Sequence, residues 1–98
     1  MNMNMLAQVQ KMQKEMEKKQ EEIQNSTFVG ESELVEVTLY GSKKIKSVKI
    51  KIEGSLDPED VEILEDMIKI AVNDGINKIE KEIEDKMGVY GKKLGGLM

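Results

Sequence analysis

Cysteine, histidine, arginine and tryptophan are all missing from this 98-residue chain, and proline occurs once. Without cysteine there is no disulfide to reinforce a small core, and without cysteine or histidine the usual structural zinc sites are excluded. The same absences remove the common activated nucleophiles and acid–base partners, so no catalytic residue, no small-molecule substrate, no metal and no cofactor is expected. Lack of arginine removes the planar fork that reads guanine or clamps phosphate with two parallel bonds. The aromatics are only Phe28, Tyr40 and Tyr90, which provides poorly for stacking of unpaired bases. No apolar run approaches the ~18 residues needed to span a bilayer, and "MNMNMLAQVQ" has neither the basic start nor the apolar centre of a signal peptide. A soluble, cytoplasmic protein with no membrane partner is the expectation.

With 39% hydrophobic side chains, the chain fits one small domain that buries roughly 65% of its unfolded surface. Oligomerisation is the remaining common way to reinforce so thin a core. The pI near 4.9 argues against a chain that is cationic everywhere, but the charges are segregated. "KKIKSVKIKI", Lys43 to Ile52, holds five lysines and no acid, whereas Glu53 to Asp66 holds seven acids and no lysine.

In "MLAQVQKMQKEMEKKQEEIQ" the residues Met5, Val9, Met12, Met16 and Ile23 recur at alternating four and three spacings, with only Lys19 interrupting. That is a heptad seam on a helix. Asn25, Ser26 and Thr27 end it with poor helix formers. The period then changes. Val35, Val37 and Leu39 alternate, as do Val48, Ile50 and Ile52, and "YGSK" supplies the turn of a hairpin. Ile45 is out of step with Val48, and a bulge near Lys46 and Ser47 restores the register. Ile45, Val48, Ile50 and Ile52 then face inward, while Lys44, Lys46, Lys49 and Lys51 face solvent.

A second helix opens at Asp57 as N-cap, with Pro58 at its first position and acids in its first turn. Val61, Leu64, Ile68, Ala71, Val72, Gly75, Ile79 and Ile83 form one stripe. Ile63, Met67 and Ile70 lie almost opposite, so the first half of the helix is apolar around more of its circumference than one thin sheet needs. These three are the candidate dimer interface. The expected fold is α+β: a helix, an antiparallel β-hairpin that a third strand can extend, and a long helix, in an intertwined homodimer. Residues 1–88 form the domain and 89–98, carrying Lys92 and Lys93, a flexible glycine-rich tail.

This order of elements and its local strings resemble the YbaB/EbfC nucleoid-associated proteins. "MLAQVQKMQKEMEKKQEEI" is similar to that family's first helix, "VEVTLYGSKKIKSVKI" to its hairpin, "LEDMIKIAVNDGINK" to its second helix and "KMGVYGKKLGGL" to its glycine-rich end. "AVND", Ala71 to Asp74, is the most specific part. The departures are Gly30 to Glu33, where a run of glycines is usual, Tyr40 in place of a small polar residue, and Gly75 in place of alanine. The resemblance implies a homodimer on the bacterial nucleoid that binds double-stranded DNA with little sequence preference. It supplies no motif that assigns DNA contacts residue by residue.

The DNA-binding candidates therefore rest on charge. Lys44, Lys46, Lys49 and Lys51 suit phosphate contacts, and equally suit protection of an edge strand. Lys11, Lys14 and Lys18 share a narrow arc opposite the methionine seam, where Glu15 and Glu22 are placed to form ordinary surface pairs with Lys11 and Lys18. Lys92 and Lys93 complete the set. The methionines Met3, Met5, Met12 and Met16 fit a core stripe better than a binding groove. The acids from Asp57 to Asp66 fit a helix start better than a calcium loop. The alternative function is a coiled-coil chaperone or adaptor of the prefoldin kind binding protein clients, although ~20 residues of seam at about 1.5 Å each give little reach.

Overall fold

The computed structural model describes residues 3–97, with side chains described for 3–91. The chain forms α1 (Met3–Asn25), β1 (Thr27–Glu31), β2 (Val35–Tyr40), β3 (Ile45–Ile50) and α2 (Pro58–Leu97). The strands make an antiparallel sheet in the order β1-β2-β3.

The seam on α1 is where periodicity places it. Met5, Val9, Met12, Met16 and Lys19 are half-buried and Ile23 is buried, while the residues between them are exposed. Lys19 fits the seam because its ammonium lies 5.5 Å from the ring centroid of Tyr90, a buried residue of α2, so the stem packs while the charge meets an aromatic face. Ile23 lines a groove with Ile83 and Met87. As α1 is followed backward from Ile23 to Lys19, α2 is followed forward to Tyr90, so the helices are antiparallel. Ser26 closes α1 by donating from its hydroxyl to the Glu22 carbonyl at 2.7 Å.

The hairpin turn uses three residues, Gly41 to Lys43. The Lys43 N–H donates to the Tyr40 carbonyl and the Tyr40 N–H to the Lys44 carbonyl, both at 2.8 Å. Lys43 has φ 73°, the left-handed conformation that this loop type requires at its third residue and that glycine adopts more readily. Thr38 pairs with Ser47 and Leu39 with Ile45, leaving Lys46 as the extra residue of the expected bulge.

α2 begins as its sequence dictates. Pro58 takes the first helical position, where no N–H is needed, and the Asp57 N–H donates to Asp60 Oδ2 at 3.1 Å. The acid at the third helical position thus reaches back to the cap residue. The segment expected as a glycine-rich tail continues α2 as helical backbone to Leu97; glycine lowers helix stability by only ~1 kcal/mol per residue and does not break the hydrogen-bond ladder.

α2 crosses the sheet over β1 and β2, where Val35, Val37 and Leu39 meet Ala71 and Ile79 in the buried core, flanked by Phe28, Leu64, Met67, Ile68, Val72 and Ile76. Between β1 and α2, backbone meets backbone at Gly30. A side-chain carbon added to Gly30 would collide with the Ala71 carbonyl oxygen and with the main chain of Gly75. β3 lies beyond this cover. Its Ile45, Val48 and Ile50 share the core face with Leu39, Val37 and Val35, as the register predicts, yet they are 53%, 48% and 46% exposed. Val61, Ile63 and Ile70 of α2 are exposed to the same degree, whereas Met67 leans on the protomer's own core.

The 40-residue α2 makes the protein long, 69 × 20 × 13 Å, with a radius of gyration of 19.7 Å, against about 13 Å for a compact domain of this length. Gly30→Ala tests the close approach. Because rigid backbone faces the new methyl group, the variant should lose about 3 kcal/mol in urea unfolding. Gly88→Ala, with open space around the added carbon, should instead gain up to about 1 kcal/mol.

Candidate nucleic-acid interface

The outer sheet face is set by the same alternation that builds the core. Opposite Glu36 and Thr38 stand Lys49 and Ser47, with the bulged Lys46 on the same face as the Tyr40 ring, Lys44 just before β3 and Lys51 just after it. All four candidate strand lysines are exposed. Their surroundings differ. Lys51 Nζ lies 3.7 Å from Glu36 Oε2, and Lys46 Nζ sits 5.9 Å from the Tyr40 ring centroid. Lys44 and Lys49 have no ion-pair partner among the described residues. Lys43, the fifth lysine of the run, is committed to the turn and lies 3.5 Å from Glu80 Oε1 of α2, which ties the hairpin tip to the helix.

The run of lysines therefore divides into an anchor, Lys43, a partly neutralised member, Lys51, and three cations available to an external anion. A bulge strengthens local twist and re-aims the side chain that it carries. Here it turns Lys46 to the solvent side without moving Ile45 from the apolar face.

Lys11, Lys14 and Lys18 are exposed on α1. The surface pairs expected with Glu15 and Glu22 do not form among the described residues, so these cations are also available. They share α1 with Glu15, Glu17, Glu21 and Glu22, however, and the helix has no surplus of positive charge. The side chains of Lys92 and Lys93 lie outside the described residues. α2 supplies the opposite sign: from Pro58 to Gly91 it carries ten acids and four lysines.

Within "AVND", Asp74 has a clear role. Its Oδ2 accepts the Glu31 N–H at 2.9 Å and pairs with Lys78 at 3.2 Å, while Lys78 donates to the Val29 carbonyl at 2.7 Å. Val29 and Glu31 are two residues apart, so both groups point from the free edge of β1. An acid and a base spaced i,i+4 on α2 thereby satisfy that edge and leave it unavailable to another strand. The Glu31 N–H, and after it the hydrogen bond from Lys78, holds the Asp74 carboxyl below the ordinary aspartate value. Sequence reasoning picked out the string but not the clamp. The available signal was the Asp74–Lys78 spacing on the same side as Ala71 and Gly75.

The family model of the YbaB/EbfC DNA-binding family matches residues 1–94. The chain belongs to that family. A nucleoid-associated protein of Lactococcus lactis subsp. lactis is 50% identical over 97 residues, covering 96% of this chain and 97% of its own length. One from Enterococcus faecalis is 48% identical over 94 residues, with 94% and 89% covered, and one from Ligilactobacillus salivarius is 40% identical over 100 residues, with 99% and 95% covered. The YbaB/EbfC match takes in the sheet, the bulged lysine strand and the Asp74 clamp together. Among the described residues, no helix is long and apolar enough to cross a membrane.

Asp74→Asn tests the clamp through pH. A carboxylate with a depressed folded-state pKa stabilises the fold above its unfolded pKa, near 4, and that contribution is lost as pH falls through the folded value. Wild type should therefore be the more stable protein at pH 7 in urea unfolding, with the gap narrowing below about pH 4. A gap constant between pH 7 and pH 2 would remove the charged clamp.

Proposed function

We propose that the chain is a non-enzymatic nucleoid protein that binds duplex DNA as a homodimer, chiefly through phosphates and with little sequence preference. The observation that carries this reading is the two-sided character of β3. Its apolar face is uncovered within the protomer, and its other face presents lysines that internal acids neutralise only in part.

The apolar face supports the homodimer. The accessible surface of 7428 Å² exceeds the about 5,700 Å² expected of a folded monomer of this mass by about 1,700 Å², which is in the range that one subunit of an obligate dimer buries. Two unpaired apolar surfaces are on offer, the inner face of β3 and the second face of α2 at Ile63 and Ile70. A two-fold axis lets each cover the other, with α2 of one copy lying over β3 of its partner. Sedimentation should then report about twice 11.1 kDa. A stable monomer at micromolar concentration, with a melting temperature independent of concentration, would refute it.

The lysine face supports phosphate contact. Ammonium groups act as point charges toward phosphate and carry no base code, and the arginines and aromatics of direct base reading are lacking. Acids on α2 oppose DNA on the helical side, which leaves the outer sheet face as the favoured approach. Placement on the nucleoid follows from the same binding, in line with the names of the relatives.

Replacing Lys49 and Lys51 by glutamine should flatten the slope of log affinity against log salt by up to about two units for each sheet in contact. Affinity should fall about equally on unrelated duplexes. If the slope is unchanged while Lys11, Lys14 and Lys18 replacements reduce it, α1 grips the DNA and the strand lysines only guard an edge. A protein that suppresses aggregation of unfolded clients and leaves DNA unshifted would point to the chaperone class instead.

A further inference from the structure

The mutual cover just described fixes more than stoichiometry. Each sheet turns its inner face toward its own α2, over β1 and β2, and toward the partner's α2, over β3. Both helices must then share one layer, with a sheet on either side. The two outer faces, each with Lys44, Lys46, Lys49 and Lys51, point in opposite directions. We propose that one dimer holds two DNA duplexes at once, one on each outer sheet face, and so bridges them; this rests on the homodimer and DNA-binding readings above.

Two physical points favour bridging over the binding of one duplex to both faces. A helix layer is about 10 Å across and sheets pack at similar spacing, so the outer faces are separated by roughly 20 Å of protein. A single straight duplex reaches only one of them. The rims between the faces are formed by α2, whose ten acids and four lysines between Pro58 and Gly91 discourage a duplex from bending round. The same thickness, about two Debye lengths at physiological salt, screens the repulsion between duplexes held on opposite sides. Each face alone offers few phosphate contacts, since Lys51 is shared with Glu36. The second duplex is therefore gained by valency as much as by contact strength.

The test uses the full-length dimer and two unrelated duplexes. For duplexes of about one and a half helical turns, sedimentation at saturation should find two duplexes per dimer. With one long duplex on beads and a second, labelled one in solution, recovery of label should rise with protein and fall again once protein is in excess and each duplex carries its own dimers. A mixed dimer of one wild-type protomer and one Lys44→Gln, Lys49→Gln protomer should bind one short duplex and recover label only at the no-protein level. One duplex per wild-type dimer with no recovery would overturn bridging and leave DNA binding intact. Bridging by the mixed dimer would place the second duplex elsewhere on the molecule and overturn the assignment to the sheet faces. If no duplex binds at any salt concentration, the DNA-binding reading itself fails and bridging with it.

Discussion

Gly30 lies against the Ala71 carbonyl and the main chain of Gly75 without room for a single additional carbon. That contact sets the position of α2 on the sheet. Because backbone meets backbone there, the helix is drawn to the β1 side, and the Asp74–Lys78 pair falls within reach of Glu31 and Val29. A helix about 10 Å wide covers about two strands spaced ~4.8 Å apart. With α2 held over β1 and β2, the third strand is left bare, and from that follows the unsatisfied apolar surface. Gly75 belongs to the same contact: a side chain there would press on Leu39, so the loss of helix propensity is set against closer packing.

The two edges of the sheet are treated differently. Side chains of α2 occupy the outer edge of β1, which removes it as a template for further strands. β3 instead has lysines on its solvent face and isoleucine and valine on the other. Strand alternation produces this division, and one inserted residue, Lys46, keeps it intact through the out-of-step position of Ile45. The division gives one six-residue strand two surfaces, one apolar, proposed above to meet a second copy, and one cationic, proposed to meet DNA.

Much of this was legible in the sequence because it depends on short-range periodicity. The α1 seam, the bulge, the hairpin turn and the Pro58 start are each set by residues within a few positions of one another, and each stands where the pattern put it. Lys19, the one flaw in the seam, is accommodated by Tyr90, a partner 71 positions away that periodicity cannot supply. β1 was harder to read, since "TFVGE" is short, contains glycine and owes its strand conformation to pairing with β2. The clamp at Asp74 depends on the same long-range contact. α2 passed through its glycines because a long helix already propagating tolerates residues that would never nucleate one.

The placement of the strand lysines on the outer sheet face was legible in the sequence, but their individual surroundings were not. Charge counting along the chain could not tell that Lys43 pairs with Glu80, that Lys51 is shared with Glu36, or that among the described residues Lys11 and Lys18 do not pair with the acids their spacing allows. Lysine-reactivity footprinting of the full-length protein, with and without an unrelated duplex at low salt, separates these groups in one experiment. The result expected is protection of Lys44, Lys46 and Lys49 on adding DNA, with Lys69, Lys78 and Lys81 on α2 unchanged. Protection confined to Lys11, Lys14 and Lys18, with the strand lysines fully reactive, would contradict the assignment of the outer sheet face to DNA.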